Sequence, residues 1–401
     1  LTVAEKEPKS PQPPPVPEDE AALSGRDRRR RKVKERFRGL NRFWQRISEG
    51  LEVQQLWEQF HREAHASYEL YRKEVDWTPR EHERGMRRAW RMARDLFWVI
   101  VMKLSPARRV MLLLALGVGL LGAVSFTVGK TSIVIDIRSL AFAILLVLLV
   151  LELADRVTMK RDLEIAREIQ HWLVPESPPV VAGLDIAFVS RPANTVGGDY
   201  YDAFFPDPKS KRLLLATADV AGKSVPAAIL MATFQASLHS FAQDSDDPLH
   251  LAERLNDFAC TRSMDGRRFT TAFLAELNVE RLSLRYVNAG HNFPVLKRAT
   301  GKWERLERGG LPFGIDAQGR YESDVVHLEK GDLLFIFTDG LVEAIDPSNQ
   351  EFGDQRMLDA LGALRTETAA ETIGALLDAV DRFRAGARRY DDITCLAVRV
   401  E

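Results

Sequence analysis

The sequence predicts an α+β domain in the C-terminal half of the chain, preceded by a helical N-terminal region and a two-helix membrane hairpin. Three observations predict it. From about Gly183 the chain breaks into short β-patterned runs separated by longer helical patterns. Ahead of them, a charge-free apolar run fills Val110 to Val128, and a second apolar run, with Glu152 near its end, fills Leu140 to Ala154. Everything earlier is Pro-rich, basic or amphipathic. The 401 residues include 56 basic and 57 acidic side chains, a formal net charge of −1, which argues against a protein whose main task is coating nucleic acid. The two cysteines, Cys260 and Cys395, lie far apart and outside any Cys/His cluster, so neither a zinc site nor a disulfide framework is expected.

The elements follow in chain order. Residues 1–36 hold a proline-dense stretch, Pro8 to Pro17, and a basic run, Arg26 to Arg38, begins within them. The first cannot form a helix or a core; the second suits anionic headgroups better than nucleic acid, given the apolar runs that follow. Residues 37–104 carry Phe37, Leu40, Trp44, Ile47 and Leu51 at helical spacing, an amphipathic helical region. Residues 107–154 form the expected transmembrane hairpin. Val110 to Val128 is long enough as a helix for a hydrocarbon core of roughly 30 Å. Arg108 and Arg109 precede it, and Arg156, Lys160 and Arg161 follow the second run, which places both ends in the cytoplasm. The expected location is therefore the inner (cytoplasmic) membrane, multi-pass, with the C-terminal domain in the cytoplasm.

Residues 155–177 read as a linker helix. Met159, Leu163, Ala166, Gln170 and Leu173 step by four and three, a coiled-coil seam that predicts a homodimer, and Pro175 ends the helix. Residues 178–401 make the α+β domain of roughly 220 residues. Its strand patterns are LDIAFVSRP, RLLLATADV, FTTAFLAELN, LSLRYVNAG, DLLFIFTDG and ITCLAVRV; helical patterns lie at Val225 to Phe241, Pro248 to Cys260 and Gln355 to Phe383.

Within that domain three motifs lead nowhere. The GKS at Gly222 and the GKT at Gly129 lack the glycine that a phosphate-binding loop requires five residues earlier, and Ala289-Gly290-His291 has no serine elbow to serve. What remains is a set of aspartates where apolar strands meet turns: Asp219 after LLLATA, Asp339 after LLFIFT, Asp391 and Asp392 before ITCLAV, and Asp199 after the pair Gly197-Gly198. One such aspartate is ordinarily a turn former. Four sites in one domain suggest convergence, where like charges raise each other's pKa unless cations neutralise them; hard oxygen ligands favour Mg²⁺ or Mn²⁺.

In this order, RPANTVGGDYYD, TADVAGKSVPAAILM, FTTAFLAEL, VNAGHNFPVL, GGLPFGI, FIFTDGLVEA and YDDITCLAV resemble the PPM-type (protein phosphatase 2C-like) serine/threonine phosphatases of the bacterial SpoIIE/RsbU branch. EIAREIQHWLVP resembles the linker helix of that branch. The Gly-Gly-Asp of a diguanylate cyclase hairpin would continue with glutamate, where this chain has Tyr200.

The resemblance implies an α/β/β/α sandwich of two antiparallel sheets flanked by helices, and two divalent cations, Mn²⁺ or Mg²⁺. It implies that Asp219 bridges the cations, that Asp339 and Asp391 complete the first shell, and that the Val220 carbonyl and Asp199 serve the second. Asp392 is the rival for Asp391. Two such ions about 4 Å apart lower the pKa of a bridging water and neutralise the phosphoryl oxygens. Arg191 is a candidate contact for the substrate phosphate, and His291 either donates a proton or makes a structural hydrogen bond. Gly222 and Gly340 are expected to permit close backbone approach. The implied activity is hydrolysis of phosphoserine or phosphothreonine on a partner such as a STAS-domain anti-sigma-factor antagonist. The alternative is a noncatalytic membrane signalling scaffold that keeps the fold.

Overall fold

The computed structural model describes residues 85–401 apart from 129–130, 208, 223, 262–267, 365–367 and 388. The expected tail at 1–36 and the amphipathic pattern from Phe37 to Tyr71 lie outside the described residues. The chain divides into two compact units, Leu1–Leu149 and Val150–Glu401.

The described part of the first unit begins with helix α1 (Gly85–Lys103) and helix α2 (Pro106–Leu121). A β-hairpin follows, β1 (Ala123–Val128) on β2 (Thr131–Asp136), and helix α3 (Arg138–Leu173) starts two residues later. The helix expected across Val110 to Val128 therefore stops at Leu121. Gly122 takes φ +71°, a left-handed conformation suited to glycine. The Val-Ser-Phe-Thr-Val that follows is β-branched or aromatic at four of its five positions and enters a strand instead. Buried Ala115 and Ala141 and a Gly119 whose added Cβ would lie 3.6 Å from that of Ala141 let α2 approach the start of α3 closely. Outward-facing Leu114, Leu120, Phe142 and Leu149 leave much apolar surface uncovered.

The expected second membrane helix and linker are one continuous helix of 36 residues, ending two residues before Pro175. Among the described helices, the one long and apolar enough to cross a membrane by length and composition is Val225–Gln243, which belongs to the second unit.

The second unit is a four-layered α+β structure. One sheet has the strand order β10 (Gly309–Gly310), β7 (Ser283–Ala289), β6 (Thr270–Asn278), β5 (Arg212–Val220), β4 (Tyr200–Phe204), with β11 (Asp324–His327) also on β7. The other runs β3 (Leu184–Arg191), β13 (Ile393–Val400), β12 (Leu333–Phe337), β8 (Val295–Lys297), β9 (Trp303–Arg305). All pairings are antiparallel except the two-residue pairing of β10 with β7.

Period-two alternation explains the layering. On β5, Leu213 and Leu215 join Phe273, Leu334, Ile336, Leu396 and Val398 in a core between the sheets. The intervening Leu214, Ala216, Ala218 and Val220 face helices α4 (Val225–Gln243) and α5 (Pro248–Cys260). Phe335 and Phe337 of β12 likewise pack under α7 (Gly353–Ala363) and α8 (Ala369–Arg384), which replace the single helical pattern expected at Gln355 to Phe383. Both central strands are buried on two faces and so read as unbroken apolar runs. The short helix α6 (Asp339–Val342) follows β12 directly.

Candidate metal centre

Antiparallel pairing brings the strand-end aspartates together. Asp199 precedes β4, whose Tyr200 pairs with Ala218, so Asp199 lies beside Asp219 near the end of β5. In the other sheet the Thr338 amide donates to the Thr394 carbonyl at 3.0 Å, extending the β12–β13 ladder one step past Phe337. Asp339 thus leaves that sheet where Asp391 and Asp392 enter it.

Hydrogen bonds join the two sheets here. The Thr338 hydroxyl donates to Asp199 Oδ2 at 2.9 Å and accepts from the Thr394 amide at 2.9 Å. Asp392, only 8% exposed, accepts from the Gly198 amide through Oδ2 (2.8 Å) and from the Ala193 amide through Oδ1 (2.7 Å). Both oxygens of Asp392 are therefore committed to backbone donors. Its neighbour Asp391 accepts the Asp392 amide through Oδ1 at 3.1 Å.

Glycines make this closeness possible. A Cβ on Gly197 would fall 2.3 Å from Asp392 Oδ2, one on Gly198 2.9 Å from the Val220 carbonyl oxygen, and one on Gly340 2.1 Å from the Asp392 carbonyl oxygen. Gly222 differs from expectation. Nothing lies within 4 Å of its added Cβ, but its φ of +123° requires glycine, so its role is conformational.

The electrostatics record the crowding. Burial first, then the Asp219 charge, raises the Asp199 carboxyl well above the usual range. Burial, followed by Asp339, Asp391 and Asp392, pushes Asp219 up to about 7. Among the described residues no three acidic, His or Cys side chains stand as a ready-made ligand set. The donors fit a hard divalent cation: carboxylates, one backbone carbonyl at Val220, and glycines that keep the approach open.

Two expected residues are engaged elsewhere. Arg191 is not brought to the carboxylates as a phosphate contact; its guanidinium donates to Asp381 Oδ2 at 2.8 Å, and Asp381 also pairs with Arg384 and Arg389. His291 is buried, with Nδ1 3.0 Å from the Thr271 hydroxyl and its amide donating to Asn288 Oδ1. Burial pulls its pKa down to about 4, so it is neutral at pH 7 and takes the structural part of the two roles considered.

Sequence reasoning missed Thr338, although its place before Asp339 in FIFTDG was a signal. It also assigned Gln170 to an intermolecular seam. In the structure the Gln170 side chain donates to the Gly197 carbonyl at 2.8 Å and accepts from the Gly197 amide at 3.1 Å. A cleft of about 620 Å³ runs alongside, reaching from Glu164, Arg167 and His171 to Asp199 and Asp392.

Residues 209–401 match the family model described as Stage II sporulation protein E (SpoIIE). Phosphoserine phosphatase RsbU of Bacillus subtilis is 33% identical over 187 residues, 46% of this chain and 54% of the relative. Protein IcfG of a Synechocystis species is 29% identical over 266 residues, 59% of this chain and 41% of the relative. The chain thus spans about half the length of the curated relatives it matches. Among solved structures, the SiaA-PP2C domain of Pseudomonas aeruginosa aligns with TM-score 0.54 and 22% identity, covering 62% of this chain and 99% of that one. The fold of the second unit is accordingly PP2C-like.

Two outcomes follow from this geometry. Gly197→Ala should displace Asp392 from its two amides and cost roughly 1–3 kcal/mol of stability, read by denaturant unfolding. In chelator, the pH dependence has a fixed sign. An unfolded carboxyl titrates near 4 and folded Asp219 at about 7, so over that interval the folded chain holds the extra proton. Its melting temperature should fall as pH rises through that window and level off above it, and added Mn²⁺ should oppose the fall.

Proposed function

We propose that this chain, whose residues 209–401 match the SpoIIE family model, is a membrane-anchored, metal-dependent phosphatase acting on phosphoserine or phosphothreonine of a partner protein. The observation that carries this reading is the gathering of Asp199, Asp219, Asp339 and Asp391 from both sheets around a glycine-built cradle. Asp219 would be shared between two cations, Asp339 and Asp391 would complete one shell, and Asp199 with the Val220 carbonyl would serve the other. When bound, such cations supply a water acidic enough to attack phosphorus and neutralise charge on the phosphoryl oxygens.

The protein's own residues set the rest. Asp392 fixes the loop before β4 through Gly198 and Ala193, so Asp199 and the Val220 carbonyl keep their places. The Thr338 hydroxyl orients Asp199. Asp219, its carboxyl raised to about 7 by burial and its acidic neighbours, would hold a cation as the carboxylate. His291, neutral and tied to Thr271, supplies no acid.

The relative named phosphoserine phosphatase supports a phosphoprotein substrate, and a STAS-domain antagonist of an anti-sigma factor is the partner class we favour. Exposed Leu114, Leu120, Phe142 and Leu149 on α2 and α3 support contact with lipid. The arginines flanking these helices favour a cytoplasmic face for the domain, and Met159, Leu163 and Ala166, stepping by four and three ahead of Gln170, favour a homodimer.

Asp219→Asn and Asp339→Asn should each lower Mn²⁺-dependent hydrolysis of an aryl phosphate on the order of 100-fold or more, with circular dichroism unchanged. Near wild-type turnover in both, across a range of Mn²⁺ concentrations, would overturn the assigned metal centre, whereas a wild-type chain with neither Mn²⁺ binding nor turnover would leave the noncatalytic scaffold. The doublet separates by kind of defect. Asp391→Asn should remove turnover with little change in melting temperature, whereas Asp392→Asn should cost about 1–3 kcal/mol of stability because two buried amides lose a charged acceptor. Paired activity and unfolding measurements read both, and the reverse pattern would move the ligand to Asp392.

A further inference from the structure

We infer that Gln170, on the last turn of α3, is a positioning residue for the metal-binding loop: its amide holds Gly197, and with it the approach of Asp199 to Asp219. The inference rests on the metal-site reading above and adds to it a residue outside the carboxylate cluster.

The Gln170 side chain spans 27 residues of sequence to make two hydrogen bonds with one glycine, donating from Nε2 to the carbonyl and accepting through Oε1 from the amide. A primary amide satisfies both polar groups of a single residue at once, which neither a carboxylate nor an alkyl chain can do. Gly197 has no side chain of its own to anchor it, and any Cβ there would collide with Asp392 Oδ2 at 2.3 Å. Its backbone is therefore held from one side by Gln170. From the other side the adjacent Gly198 amide is held by Asp392. Asp199 is the next residue, and it is fixed to Thr338 and set against Asp219. The chain of contacts from helix to carboxylate is thus Gln170, Gly197, Gly198, Asp199.

The surroundings suit a contact that can be made and broken. The seam beside the clamp holds a cleft of about 620 Å³ that continues to Asp199 and Asp392. On the far side of the same helix turn, Trp172 is 78% exposed. Gln170 joins this last turn to the metal loop through its two hydrogen bonds with Gly197. Lifting the last turn of α3 would free both polar groups of Gly197 and loosen the loop that carries Asp199.

The test uses the full chain and measures Mn²⁺ binding by calorimetry and amide hydrogen exchange of the 194–199 loop in chelator. Gln170→Leu, similar in volume and helix propensity, should weaken Mn²⁺ binding about 10–100-fold, the usual cost of losing a partner that orients a ligand. It should also speed exchange of the Gly197 amide while the helical circular dichroism is kept. Gln170→Glu keeps an acceptor for the Gly197 amide but sets a carboxylate against its carbonyl, and should also weaken binding. Trp172→Ala, on the exposed face, should change neither reading. If both Gln170 variants bind Mn²⁺ as the wild type does and Gly197 exchange is unaltered, the inference is overturned. If the wild type itself binds no Mn²⁺, the metal reading fails first. The exchange data then decide the clamp alone: unaltered exchange removes it, and faster exchange keeps it as a loop support without a metal role.

Discussion

The arrangement at the strand ends depends on one buried carboxylate that ties the two sheets together through backbone amides. Asp392 enters β13 in one sheet, and its two oxygens take amide protons from Gly198 and Ala193 in the loop that leads to β4 in the other. A charged acceptor with two short backbone bonds in a nearly dry position is among the stronger single contacts a domain can make. It fixes the separation of the two sheets at the end where Asp199, Asp219, Asp339 and Asp391 emerge. Gly197, Gly198 and Gly340 follow from it, since each lacks a side chain where one would strike Asp392 or the Val220 carbonyl. The Gly-Gly-Asp and Asp-Gly motifs are two halves of one steric solution.

That solution has an electrostatic cost. Five aspartates share the region, and Asp219 retains a proton to about pH 7 because burial and three neighbouring carboxylates oppose its charge. The Thr338 hydroxyl offsets part of this at Asp199. Arg191, the nearest candidate by sequence, is held with Arg384 and Arg389 around Asp381.

Much of the domain was legible because its signals are local. Strands buried on both faces leave unbroken apolar runs such as LLLATA and LLFIF, and the aspartates stand where those runs end. Other features depend on contacts distant in sequence. The partner of Arg191 lies 190 residues away and that of Gln170 lies 27 away, so spacing alone suggested a phosphate contact for one and a helix seam for the other. The amides that Asp392 of the Asp391–Asp392 doublet accepts, those of Gly198 and Ala193, lie 194 and 199 residues away and are equally invisible to spacing. In the N-terminal unit, hydropathy merged Val110 to Val128 into one helix, although Gly122 and the β-prone Val-Ser-Phe-Thr-Val after it mark the break. A hydropathy window sums over a segment and is blind to one residue with positive φ.

The distinction between a working site and a relic can be argued from cost. A scaffold that needed only the fold would gain stability from neutral residues at Asp199 or Asp219, where burial and mutual repulsion penalise the charge. Asp392 would be kept in either case, since two amides depend on it. The chain instead carries the whole set, Asp219 included, together with the glycines that crowd these groups. Local energy is given up at one end of an otherwise well-packed sandwich, and hard cations are the ligands that would return it.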